Sequence, residues 1–280
     1  MDWPDTWAWL ETGAATGVRN MAVDVALLDL AGAQGTAVLR VYGWRAPTVS
    51  FGRHEAVRGA WDVAAVRAAG LEVVRRPTGG RALLHDAAVT WSVAMPLAST
   101  VPWRHAYDAV NRHLQQALVT LGAPVTLASD HDTSSSDGGV RPVAATDGAT
   151  TTCFARPAAG ELLLHGRKVA GSAVWRSRAA YLQHGVILLR DTQARLHRFA
   201  SSVTHEGDEA SGIGTSARGI GLAEVLSPAG GIDHLHARVC EALRAMWCAS
   251  DSALVPPDAL DRAADAAQDW LATPSWLWRR

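Results

Sequence analysis

The chain has 280 residues, of which 48% are hydrophobic and 19% charged, with a formal net charge of −1 and a mean hydropathy close to zero. That is the profile of a soluble globular protein of one large domain, or of a large and a small one, and the balance of charge excludes general nucleic-acid binding. No window approaches the roughly 18 consecutive apolar residues of a membrane span, and the opening M-D-W-P-D-T-W-A-W-L has no base before Arg19. Neither a membrane segment nor a secretory signal is therefore expected, and the sequence reads as cytoplasmic.

In chain order, Asn20 followed by M-A-V-D-V-A-L-L-D-L, with Met21, Val25 and Leu28 on one face, predicts a helix over 21–31 capped by Asn20. Short strands follow over 38–42 and 48–51. A helix over 59–69 turns Val63 and Val66 inward and places Gly70 at its C′ position, and 71–75 is a buried strand. The run R-R-P-T-G-G-R-A-L-L-H-D at 75–86 is a loop feeding a half-buried strand in which Val89, Trp91, Val93 and Met95 alternate. Pro102 opens a helix with the stripe Tyr107, Val110, Leu114, Leu118 and Leu121, closed by Gly122.

Residues 129–152 are polar and low in complexity, which predicts a mobile excursion. From Cys153 to Leu189 four short runs, C-F-A-R, E-L-L-L, R-K-V-A-G-S-A and L-Q-H-G-V-I-L-L, are separated by tight-turn signals and predict a β-meander. Asp233 starts an amphipathic helix with Leu235, Val239, Leu243 and Met246 on one side, and the tail beyond 250 reads as helical. Helices interleaved irregularly with strand pairs indicate an α+β fold with a mixed, mostly antiparallel sheet.

Three places carry residues suited to chemistry. Among 26 Lys and Arg residues, Lys168 alone is a lysine. An ammonium is a compact point charge that a planar guanidinium does not reproduce, so a chain that uses Arg elsewhere has kept one group suited to sit against a reacting centre; codon bias is the plain alternative. In the loop, Gly79 and Gly80 allow close backbone approach and Arg75, Arg76 and Arg81 add charge, although a bare T-G-G is as simply read as a solvated turn. Cys153 is the third. In the meander, strand alternation puts Lys168 and Ala170 on one face, and Cys153 lies two strand spacings away, about 10 Å between backbones. A lysine leaning across would favour the thiolate, although a lone cysteine is more often a small buried apolar group. Cys240 and Cys248 are assigned to packing, and three cysteines suit neither a disulfide frame nor a zinc site.

These motifs, in this order, resemble the biotin/lipoate A/B protein ligase family: N-M-A-V-D at 20–24, R-R-P-T-G-G-R-A-L-L-H-D at 75–86, Cys153-Phe154 with Glu161 downstream, G-R-K-V-A-G-S-A at 166–173 and L-Q-H-G at 182–185. The resemblance implies that family's catalytic-domain fold over 1–225, with a C-terminal helical extension over 226–280 packed on it. Within the family the sequence is most similar to cysteine-dependent octanoyltransferases, in which the cysteine carries an acyl thioester and the G-R-K lysine activates it. Those enzymes take octanoyl from acyl carrier protein and give it to a lysine of glycine cleavage H protein or another lipoyl domain.

The resemblance implies Cys153 and Lys168 as catalytic residues. It also implies a substrate site of Arg75, Arg76, Thr78, Gly79, Gly80, Arg81, His85, Gly171, Ser172 and Ala173, with Val89 and Trp91 lining an acyl tunnel. No metal and no cofactor are implied. The competing reading is lipoate-protein ligase, which uses ATP and Mg²⁺ and needs no cysteine. Arg81 stands where ligases have a third glycine, and this favours transfer. A carrier-binding relative without activity is the reading from another class, and Cys153 with Lys168 argues against it. The sequence also departs from the family at Val25, Ala88 and Val186, where an acid, a Glu and a Ser are usual.

Overall fold

Thr16 opens the first helix: its side-chain oxygen accepts the amide of Arg19 at 3.2 Å, the usual capping arrangement. Helix α1 then runs Gly17–Gln34 and stops at Gly35, left-handed at φ 73°, whose amide donates to Ala31. Asn20, predicted as the cap, lies instead one turn inside α1. It is buried, and its side-chain amide donates to the Gly43 carbonyl, tying the helix to the strand below it. The computed structural model describes residues 3–129, 152–154, 157–200, 219–227, 230–248 and 255–279. The predicted excursion over 129–152 therefore falls almost wholly outside the described residues.

The strands are β1 (Ala8–Ala15), β2 (Val38–Trp44), β3 (Thr48–Phe51), β4 (Glu72–Arg75), β5 (Leu83–His85), β6 (Ala88–Pro96), β7 (Val125–Leu127), β8 (Leu162–Leu164), β9 (Arg167–Arg176) and β10 (Ala180–Leu188). Seven form one sheet in the order β1-β2-β6-β10-β9-β8-β7, antiparallel except for the parallel pair β1–β2. A second sheet, β4-β3-β5, carries one parallel and one antiparallel pair. The fold is thus α+β with a mostly antiparallel sheet flanked by helices, as the sequence predicts.

Helices α3 (Trp103–Thr120) and α4 (Gly231–Met246) pack on one face of the large sheet, and α1 with α5 (Pro257–Leu271) covers the other. Because both faces are covered, β6 is not half-buried: Val89, Trp91, Val93 and Met95 meet the α3 side, and Thr90, Ser92 and Ala94 are buried on the α1 side. Val110, Leu114 and Leu118 of α3 are buried, whereas Leu121 falls past the helix end and is half-exposed. Helix α2 is shorter than predicted, Val63–Ala68, because the Asp62 side chain caps it at the Ala65 amide. Cys240 packs in the core, but Cys248 follows α4 exposed, so the packing assignment holds for Cys240 alone.

The meander differs from the prediction at its first strand. Cys153 and Phe154 sit in a turn, Thr152 bridges Ala82, and the Cys153 amide donates to the Ala82 carbonyl at 2.9 Å. The place beside β8 is taken by β7, which pairs with it through Val125, Thr126 and Leu127. A second departure lies in β9, where the register with β8 shifts by one residue between Lys168 and Ala170. This bulge breaks strict alternation: Val169 and Ala170 both enter the core, and Lys168 comes onto the side of Gly171.

Candidate active site

The bulge in β9 and the bridge from Thr152 to Ala82 bring Lys168 and Cys153 together from two directions. The Lys168 Nζ lies 3.8 Å from the Cys153 Sγ, donates to the Cys153 carbonyl at 2.7 Å and pairs with Glu161 Oε2 at 2.8 Å. The Glu161 carboxylate is itself held by the Ala158 amide at 2.7 Å. Lys168 is only 4% exposed, and burial alone pulls its ammonium toward neutrality. Interaction with Cys153 and Glu161 outweighs that and holds it above the ordinary lysine value, so it stays protonated at neutral pH. A Cβ at Gly171 would stand 3.0 Å from Lys168 Cε and 3.3 Å from Cys153 Sγ, so a side chain there would crowd the pair.

The opposite wall is the loop after β4. Arg76 is buried and pins it: its guanidinium donates to the carbonyls of Ser50 (2.8 Å), Gly79 (3.0 Å) and Arg81 (2.7 Å) and to Ser50 Oγ (2.9 Å). Burial lowers its pKa somewhat, with Cys153 and Glu55 acting against that, and it is a second cation on the wall of the cleft that Cys153 also lines. Gly80 is left-handed at φ 94°, and a Cβ there would meet Arg76 Nη2 at 2.6 Å, whereas a Cβ on Gly79 would meet open space. Arg81 contributes its carbonyl to the pin.

Thr78 anchors the loop to the sheet. Its hydroxyl lies 2.6 Å from His184 Nε2, and His184 Nδ1 lies 2.8 Å from Asp24 Oδ2. Asp24 also accepts from Arg40 (2.6 Å), Ser92 (2.8 Å) and Tyr42 (3.1 Å). Burial pushes the Asp24 carboxyl up, but Arg40, His184 and Ser92 together outweigh it and leave it below the ordinary 3.8. His85 stacks on Trp44 and touches Ser50 Oγ at 2.9 Å. Burial, with Arg76 and His184 nearby, holds its imidazole well below 6.5 and therefore neutral.

Between these walls lies a narrow cleft. Of the residues predicted from sequence, Arg76, Gly80, His85, Cys153, Gly171, Ser172 and Ala173 line it; Lys168 and Thr78 act on it through Cys153 and His184. Arg75 does not reach it. One residue before Arg76, its side chain leaves on the other side, donating to the carbonyls of Gly52, Glu55 and Leu277. Its own carbonyl accepts the Trp276 indole, so Arg75 is a strut between this wall and the last helix, α6 (Pro274–Leu277). Val89 and Trp91 also point away; the cleft is met by Thr90, with Met21, Tyr42, Leu83 and His184 beside it. Asp24 and His184 lie in the motifs N-M-A-V-D and L-Q-H-G, yet the sequence assigns neither a site role and does not pair them. The signal at Asp24 is an acid amid the apolar run M-A-V-D-V-A, a residue that burial obliges to find partners.

Residues 16–244 match the model of the lipoyl protein ligase A/B catalytic domain. Among relatives, octanoyltransferase LipM of Symbiobacterium thermophilum is 40% identical over 187 residues, 65% of each chain. Octanoyltransferase LipM of Bacillus subtilis is 35% identical over 191 residues, 66% of each. The chain thus spans just under two thirds of the length of these curated relatives. Among solved structures, a bi-partite lipoate protein ligase from Thermoplasma acidophilum shares the fold with a TM-score of 0.73 at 16% identity, covering 98% of this chain and 96% of that one. Lipoate-protein ligase A bound with ATP gives 0.71 at 16% identity, covering 98% of both.

Proposed function

The chain belongs to the lipoyl protein ligase A/B catalytic domain family, and from that premise we propose that it is a cysteine-dependent octanoyltransferase. It takes octanoyl from acyl carrier protein, holds it as a thioester on Cys153, and passes it to a lysine of glycine cleavage H protein or another lipoyl domain, in the cytoplasm. The observation that carries this reading is the 3.8 Å approach of Lys168 Nζ to Cys153 Sγ at the edge of the cleft. A protonated ammonium beside sulfur favours the thiolate, which is the nucleophilic form.

In the first half-reaction Sγ attacks the thioester carbonyl. The new bond to Sγ forms as the carrier's sulfur departs and takes a proton. Lys168 and Arg76 are the cations available to the developing oxyanion. In the second half-reaction the acceptor lysine amine attacks the same carbon, the C–N bond forms, the C–Sγ bond breaks, and the amine proton is lost. Thioester to amide runs downhill, so the scheme uses neither nucleotide nor metal.

Incubation with octanoyl carrier protein, without ATP, should add one octanoyl mass to Cys153 by intact-protein mass spectrometry, and a lipoyl domain should then discharge it. Cys153→Ala should show no adduct and no turnover. Turnover by Cys153→Ala, or product only when ATP, Mg²⁺ and free acid are supplied, would replace this reading with the ligase.

A further inference from the structure

The cleft shares a wall with a second, larger cavity. Tyr42, His85 and Thr90 border both, and the second extends from them among Trp44, Ala87, Leu189 and Ile232. Trp44 borders only the second. Its ring stacks on His85 at 3.9 Å between centroids, and its indole N–H donates to Thr90 Oγ1 at 2.9 Å. The indole is thus fastened to two of the three residues that the cavities have in common.

Resting on the acyl-transfer reading, we propose that Trp44, pinned to His85 and Thr90, is the end stop that sets the length of acyl chain the cleft accepts. The sheet supplies the scale. Gly171, Val186, Thr90 and Tyr42 stand opposite one another in a row across β9, β10, β6 and β2. At strand spacings of about 4.8 Å, Thr90 is about 10 Å and Tyr42 about 14 Å from Gly171. Cys153 Sγ sits at the Gly171 end of this row. An extended eight-carbon chain with bonds of about 1.5 Å spans about 9 Å, so a thioester on Sγ brings its terminal methyl to Thr90 and the indole behind it. Between Gly171 and Thr90 the row passes through Val186, which is buried and apolar. Removing the indole would join the cleft to a cavity of mixed lining, where Ala87, Ala88, Leu189 and Ile232 offer further methylenes an apolar path beside Asp86 and Asp233.

The test offers octanoyl and dodecanoyl carrier protein in equal amounts to the parent, to Trp44→Ala, to Trp44→Leu and to the double variant Trp44→Ala with Ile232→Trp, and compares the two Cys153 adducts by mass. The ratio of dodecanoyl to octanoyl adduct should rise by about tenfold or more in Trp44→Ala. It should rise less in Trp44→Leu, and the double variant, in which a new indole refills the second cavity from the Ile232 position, should lower it again. A Trp44→Ala protein that loads octanoyl with the parent's ratio would overturn the end stop while leaving acyl transfer intact. If Trp44→Ala does not fold, the ratio in Trp44→Leu decides. No adduct of either length on the parent would instead remove the acyl-transfer reading on which the proposal rests.

Discussion

Two buried polar clusters border the cleft, and they differ in what their members have left to give. Around Asp24 both carboxylate oxygens are shared out, Oδ1 to Arg40 and Ser92, Oδ2 to Tyr42 and His184. Around Lys168 the chain of contacts runs from Glu161 through the ammonium to the Cys153 sulfur, which is half-buried and opens on the cleft. Both clusters contain a buried ion pair, so burial and charge do not tell them apart. The difference is that one closes on itself while the other ends on a nucleophile that an incoming carbonyl can meet. The first holds the wall in place, and the second reacts.

Removing Asp24 should separate the two roles most sharply. Asp24→Ala leaves the Arg40 guanidinium buried without its carboxylate, which costs about 3–5 kcal/mol and should show as a large drop in the urea midpoint. The fraction that folds should still acylate Cys153. A normal midpoint with lost acylation would move Asp24 into the reacting group.

Lys168→Arg comes next. It keeps the charge, but the guanidinium is planar and larger, and Gly171 leaves little space beside Cε. The rate of Cys153 acylation should fall about a hundredfold, the scale of losing one positioned donor. An unchanged rate would mean that any cation serves.

The two glycines of the loop give a smaller, paired effect. Gly80→Ala places a Cβ on a left-handed residue against Arg76, costing about 1–2 kcal/mol, whereas Gly79→Ala has open space and should be close to neutral. Equal losses by thermal denaturation would show that Arg76 does not pin the loop at Gly80.

The least of these effects is a pH dependence from His85. Its imidazole is held below 6.5 in the folded protein, so the unfolded chain binds the proton first as pH falls. Stability from this site is therefore present above about pH 6.5 and is lost below it, by at most about 1.4 kcal/mol per pH unit, down to the folded value. His85→Gln should flatten the denaturation midpoint between pH 7 and 5. A profile parallel to the parent's would assign the acid slope to other groups.

Much of the reacting pair is legible before any geometry. A lone lysine in a chain of arginines stands out by composition, and the order of short motifs supplies its partner cysteine. The way they approach is not legible, because a period of two cannot reveal an added residue. The bulge between Lys168 and Ala170 and the turn at Cys153 are long-range matters of register, and the long polar run before Cys153 gives no local signal of which strand it meets. Arg75 and Arg76 look alike in sequence and differ only in which side of the chain they leave. Trp91 and Val89 draw attention as apolar residues, yet on a strand covered on both faces the cleft falls to Thr90.

The bulge in β9 gives this part of the chain one residue more than its pairing needs. Lys168 and Gly171 are three positions apart and share a side only because the bulge absorbs the odd step. Deleting Val169 would restore even pairing with β8 and leave them two positions apart, still on one side, so the approach of the ammonium to the sulfur does not depend on the count at 169. What Val169 supplies is buried apolar volume in the core, and a lineage that keeps the Lys168–Cys153 pair is free to lose the position where a neighbouring side chain fills that volume.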